Sequence, residues 1–112
     1  MLNHELTEQA GVTVLSMLEE KLDATTALTA RPILDQLVER GGIKVVLDMT
    51  AVKVIDSSGV AIVVSLFKRL KALGGSLRVA GLEGQPREIF HLLRLEKAMP
   101  IYPTAHEALK GY

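Results

Sequence analysis

The sequence predicts an α/β fold, with about five strands in a mixed sheet and about four helices packed on it. Three observations lead there. Short runs rich in β-branched residues, such as "VTVLSML" and "IKVVLDM", alternate with longer segments whose apolar residues recur at helical spacing. Glycine pairs, Gly41-Gly42 and Gly74-Gly75, stand where two helical segments need a left-handed stop. Finally, 112 residues that are 48% hydrophobic suffice for one core, so residues 1–112 read as a single domain.

The elements follow in order. Residues 4–9 alternate weakly, Gly11 breaks the chain, and "VTVLSML" resumes it, which reads as a hairpin. From Asp23 to Gly42, Leu28, Ile33, Leu34, Leu37 and Val38 fall on one helical face. Pro32 lies inside that stretch, so the helix either begins near Arg31 or kinks there. Ile43–Met49 is a buried central strand and Gly59–Leu73 a helix. "SLRVAGL" is the next strand and "QPREIFHLLRL" the next amphipathic helix. "AMPIY" is an edge strand, where Pro100 need not donate to a ladder. "TAHEALKGY" ends the chain as a helix capped by Thr104. Strand–helix–strand order implies parallel pairing through right-handed crossovers.

Composition excludes several functions. Thirteen basic and thirteen acidic residues cancel, which argues against direct nucleic-acid binding driven by phosphate neutralisation. The charge is split, however: residues 1–50 carry four Lys/Arg against eight Asp/Glu, and residues 51–112 carry nine against five. That split suggests complementary patches or an oriented partner. With no cysteine, disulfides, thiolate catalysis and cysteine zinc sites are impossible. The histidines lack metal-ligand spacing, and no cofactor is expected. No apolar run approaches the roughly 18–20 residues of a membrane span, and "MLNHELTEQ" has none of the features of a signal peptide. A cytoplasmic protein is expected, and a monomer, since no long amphipathic seam is left over. Met17, Met49, Met99, Phe67 and Phe90 read as core; Lys68, Arg69 and Lys71 read as a solvated face.

The most informative stretch is "VIDSSGVAIVV", residues 54 to 64, where a polar knot interrupts an apolar run. Asp56 is a good N-cap, because its carboxylate can accept from amides two or three residues on. Ser57 and Ser58 then fall in a first turn whose N–H groups lack helical partners. Three readings fit: a cap with a tight turn, an activated nucleophile, or a regulatory hydroxyl. The nucleophile lacks a base, since His4, His91 and His106 are scattered and no G-x-S-x-G is present. A helix N-terminus tolerates added negative charge, which suits a phosphorylatable hydroxyl.

The context of the knot carries a resemblance. "VVLDMTAVKVIDSSGVAIVVSLFKRLKALGGSLRVAGL" resembles the STAS domain of the anti-sigma factor antagonist (anti-anti-sigma factor) family. There a central strand leads through a loop into D-S-[ST]-G, then a long apolar helix ended by Gly-Gly, then a strand. "KLDATTALTARPILDQLV" is similar to that family's Leu-Asp lead into its first helix, and "REIFHLLRLEKAMPIYPTAHEAL" to its last helix-strand-helix. Nearly the whole chain is covered.

The resemblance implies a single STAS domain that is not an enzyme but a partner-switching module. Ser57, directly after the motif acid, matches the hydroxyl phosphorylated by an anti-sigma factor that is also a serine kinase. Unmodified, the domain binds that kinase and frees its sigma factor; phosphate on Ser57 breaks the contact, and a serine phosphatase restores it. By the same match Ser58 contributes to the binding surface, Asp56 orients the loop or assists proton removal, and Gly59 lets the kinase approach. Asp23, of the Leu22-Asp23 pair, matches an acid near the same surface; by itself it also reads as a plain N-cap. Two positions depart from the family pattern: Glu20, where many members have glycine, and Arg94, where many have a small residue. Stand-alone domains of this fold also serve as scaffold or accessory subunits, in stressosome-like assemblies or beside lipid-transport ATPases, which is the alternative. Direct nucleotide binding ranks lower, as no P-loop is present.

Overall fold

The computed structural model describes residues 3–112. The first two residues of the N-terminal stretch weighed above as a possible signal lie outside the described residues. Five strands form the main sheet: β1 (His4–Gln9), β2 (Val12–Met17), β4 (Lys44–Asp48), β6 (Ser76–Ala80) and β7 (Ile101–Tyr102), in the order β1-β2-β4-β6-β7. The β1–β2 pair is the expected antiparallel hairpin, and every other pairing is parallel. The helices are α1 (Ala24–Glu39), α2 (Ser57–Ala72), α3 (Gly84–Leu92) and α4 (Ala105–Leu109), with a 3₁₀ turn at Leu95–Lys97. The α/β class and the mixed five-stranded sheet are as the sequence predicts.

Alternation along the strands divides the interior in two. Leu15, Met17, Val45, Leu47, Leu77 and Val79 pack against Leu34 and Leu37 of α1, Ile62, Leu66 and Leu70 of α2, and Phe90 of α3. On the opposite face Val12, Val14, Val46 and Ala80 meet Ala108 of the short α4. Arg78 projects from β6 on that second face. Its guanidinium lies 4.1 Å from the Tyr112 ring centre and 5.3 Å from that of Tyr102. It also donates to the carbonyls of Ala108 and Lys110, at 2.9 and 3.0 Å. The Tyr112 hydroxyl in turn bonds the main chain of Val45 and Ser76. Met17, Met49, Met99 and Phe90 are buried and Phe67 packs at the edge of the core, as expected.

Several boundaries differ from the expectation, each for a local reason. α1 begins at Ala24 and runs through Pro32 to Glu39, so it does not start near Arg31: Asp23 caps it about two turns earlier and Pro32 lies inside the helix. Leu28, predicted on the buried face, is 76% exposed: the core takes Ala27, Ala30, Leu34 and Leu37, and Leu28 lies about 100° round the helix from Ala27. α2 begins at Ser57, two residues before the Gly59 read from periodicity and where the Asp56 cap reading places it. α3 ends at Leu92, short of Leu95, where Arg94 adopts a left-handed φ of 58°. Of "AMPIY" only Ile101–Tyr102 pairs; Met99 is buried without joining the strand.

One element has no counterpart in the sequence reading. β3 (Lys21–Leu22) and β5 (Val54–Ile55) form a separate two-stranded parallel ladder, Lys21 opposite Val54 and Leu22 opposite Ile55. It joins the starts of α1 and α2.

Candidate functional site

The short ladder places two apolar–acid pairs side by side, Leu22-Asp23 and Ile55-Asp56, and each acid caps the helix that follows. Asp56 has the extended conformation of an N-cap. Its Oδ1 accepts from the amides of Ser58 at 2.9 Å and Gly59 at 3.0 Å. Its other carboxylate oxygen has no partner among the described residues. Asp23 makes a full capping box: Oδ1 accepts from the amides of Thr25 and Thr26 at 3.1 and 3.2 Å, and the Thr26 hydroxyl accepts from the Asp23 amide at 2.8 Å. The Thr26 amide, the strongest influence, holds the Asp23 carboxyl below its ordinary pKa against burial, the next strongest; the Thr26 hydroxyl, the Thr25 amide and nearby Lys21 add smaller effects in the lowering direction. The two helix starts are tied directly, since the Asp56 amide donates to the Leu22 carbonyl at 3.2 Å.

Gly59 explains how α2 can start so close to β3. A Cβ there would collide with the Leu22 carbonyl oxygen and lie 2.7 Å from Cγ1 of Ile55. The expectation that Gly59 leaves room for an approaching partner is therefore corrected. The residue is buried, and the space beside it is filled by this chain's own Leu22 and Ile55.

The serines face outward. Ser57 is exposed and its hydroxyl has no hydrogen-bond partner among the described residues; Ser58 is half-buried with its hydroxyl likewise unused. Each opens onto a different shallow groove. Between α2 and α3, Ser57 and Asp56 share a groove with Ile55, Val60, Ile89 and Leu93. Between α1 and α2, Ser58 shares one with Ala24, Leu28, Arg31 and Ala61. Leu28 and Leu93, 76% and 54% exposed, thus flank the serine turn on either side. Such a surface, with polar hydroxyls and an acid between apolar ridges, suits docking of a protein rather than capture of a small ligand.

The structure brings Asp23, Asp56, Ser57 and Ser58 to one end of the molecule and assigns Gly59 to the packing beneath them. The departures from the family pattern are also located. The Glu20 carbonyl accepts from the amides of Lys53 and Val54, and its carboxylate lies 3.7 Å from the Lys53 ammonium. Arg94 follows Leu93, which lines the α2–α3 groove, and adopts a left-handed φ of 58°. Sequence reasoning missed Leu28 and Leu93 as exposed ridges, and it missed Gln85, which bonds the main chain beside the knot. Only the repeated apolar–Asp pair before two helices could have hinted at the ladder.

Comparison with known proteins agrees with this architecture. The anti-sigma F factor antagonist of Paenibacillus polymyxa is 27% identical over 106 residues, covering 94% of this chain and 90% of that protein. The crystal structure of an anti-sigma factor antagonist from Mycobacterium paratuberculosis superimposes with a TM-score of 0.88 at 26% identity, over 97% of this chain and 92% of that one. The Bacillus cell fate determinant SpoIIAA, solved in its phosphorylated form, shares the fold with a TM-score of 0.75 at 21% identity, over 96% of each chain. The family model described as STAS domain matches residues 3–108. That match spans nearly every described residue and leads to one assignment: the chain belongs to the STAS domain family.

Proposed function

We propose that this protein is an anti-sigma factor antagonist controlled by phosphorylation of Ser57. The observation that carries the reading is the Ser57 hydroxyl: exposed and unbonded, it stands at a turn held rigidly by the Asp56 cap and the β3–β5 ladder. Unmodified, the surface of Asp23, Asp56, Ser57 and Ser58, with Leu28 and Leu93 beside it, binds an anti-sigma factor that is also a serine kinase, and so frees a sigma factor. The Asp56 carboxylate already takes the amides of Ser58 and Gly59. A phosphate on Ser57 therefore stays on the surface as about −1.5 to −2 of charge. That charge, set between two apolar ridges, expels the partner, and a serine phosphatase resets the switch. The names of the relatives and the phosphorylated form known for SpoIIAA support this reading. The domain acts as a monomer, with Glu5 and Glu8 on β1 discouraging edge-to-edge pairing.

The test is phosphopeptide mapping of the protein isolated from its native cells, with Ser57→Ala as control. Phosphate on Ser57, absent from the variant, is the expected result. Phosphate on Ser58 alone would move the switch to the α1–α2 groove. Absence of phosphate under every growth condition would sink the switch and leave a docking surface, as in a scaffold or accessory subunit.

A further inference from the structure

In the β3–β5 ladder the amides of Val54 and Asp56 point toward β3, onto the carbonyls of Glu20 and Leu22 at 3.0 and 3.2 Å. Alternation then aims the N–H and C=O of Ile55 the other way, at an edge where the ladder has no third strand among the described residues. Gln85 occupies that edge. Its Oε1 accepts from the Ile55 amide at 2.9 Å, and its Nε2 donates to the Ile55 carbonyl at 2.9 Å. A carboxamide presents one acceptor and a donor in the plane of a peptide group, so Gln85 stands in for the missing strand. Ile55 is 2% exposed, so water is poorly placed to replace it.

The location matters because Ile55 immediately precedes Asp56, the residue that fixes the first turn of α2 and the direction of Ser57. Gln85 also belongs to the first turn of α3, and Ile89 and Leu93 follow at intervals of four, on the same face. Those two side chains line the groove that Ser57 opens onto. One helical face therefore holds the main chain of the turn at one end and the wall of its groove along the rest.

We propose that Gln85 is the positioning residue of the Ser57 turn, through which contacts made on Ile89 and Leu93 are passed to the phosphate-accepting hydroxyl. The regulatory part of this role rests on the reading of Ser57 given above. The positioning part is a property of the isolated chain and is tested on it.

The experiment is residue-resolved amide hydrogen exchange and ¹⁵N chemical shifts on the full chain, for the native protein, Gln85→Leu and Gln85→Glu. In Gln85→Leu, protection of the Ile55 amide should fall by about tenfold or more, with Asp56 and Ser57 resonances moving, while Leu77 in β6 stays protected. In Gln85→Glu the ionised carboxylate can still accept from the Ile55 amide, but its second oxygen cannot donate to the Ile55 carbonyl and repels it, which loosens the pair. Once protonated it again offers one donor and one acceptor. Protection at Ile55 should therefore recover as pH falls through the carboxyl range, and Gln85→Leu should show no such recovery. Unchanged Ile55 protection in Gln85→Leu would overturn the proposal. So would a parallel loss at Leu77, which marks a residue serving general stability alone. Native protein that never carries phosphate would instead sink the reading of Ser57, with the exchange result still deciding the role of Gln85.

Discussion

A methyl group added at Gly59 has nowhere to go, because the nearest atom is a main-chain carbonyl rather than the end of a flexible side chain. Gly59→Ala should destabilise the fold by about 1–3 kcal/mol through displacement of α2 from the short ladder, measured by urea unfolding. Asp23 gives a pH-dependent counterpart. Its folded pKa is held below the ordinary value, so its contribution is complete above that value and is lost as pH falls through the lowered one. Unfolding of the native protein and of Asp23→Asn, compared from about pH 5 down to about pH 2, should show a stability gap that closes toward the acid end. A gap constant with pH would assign the difference to side-chain shape alone. The Asp56 cap was legible in the sequence because capping is local: the residues that matter stand within three positions of one another. Gly59 was identified for the wrong reason, since its neighbour Leu22 lies far back in the chain. Gln85 was not legible at all, being 30 residues from the main chain it bonds.

At the level of elements, α1 carries an unusual burden. Pro32 lies mid-helix, exposed, and removes the amide that would reach the Leu28 carbonyl. Pro32→Ala loses no packing and restores that bond. It should stabilise the protein by roughly 2 kcal/mol, reduced somewhat by the greater freedom of the unfolded chain. Thermal unfolding checks this, and a lower Tm would mean that a bend at Pro32 is needed to seat the helix. The ridges beside the serine turn separate docking from folding. Leu28→Gln and Leu93→Gln should each change stability by no more than about 0.5 kcal/mol, because neither residue is in the core. Each should nevertheless weaken association with the partner that phosphorylates Ser57, as read by co-purification from native cells. The long elements were legible from periodicity, whereas β3 and β5, two residues each, are too short for any period. Leu28 was misplaced because Ala27 and Leu28 are both apolar, and only the packed sheet decides which of the two is covered.

Across the whole molecule, the charge imbalance between the two halves of the sequence is met partly by pairing. Asp35 of α1 accepts from Arg69 of α2 at 2.6 Å, and Glu20 faces Lys53 across the short ladder at 3.7 Å. The Glu20–Lys53 pair is largely solvent-accessible and contributes on the order of 0–1 kcal/mol, whereas the Asp35–Arg69 pair is part-buried. They align the acidic first half with the basic second half. The topology itself was readable from element order, since parallel neighbours joined by helices permit few arrangements. Which helix covers which face was not: among the described residues, the short α4 and Tyr112 cover the second face.

The clasp of Arg78 between Tyr102 and Tyr112 has an optical consequence. The chain has no tryptophan and only these two tyrosines, so all of its tyrosine emission originates on the α4 face of the sheet. Ser57 lies at the start of a helix packed on the other face. Docking at the serine turn of a partner that itself lacks aromatic emission should therefore leave tyrosine fluorescence unchanged, while unfolding alters it. A signal change on docking would mean that the disturbance crosses all the way through the sheet, and that the two faces of this small protein communicate.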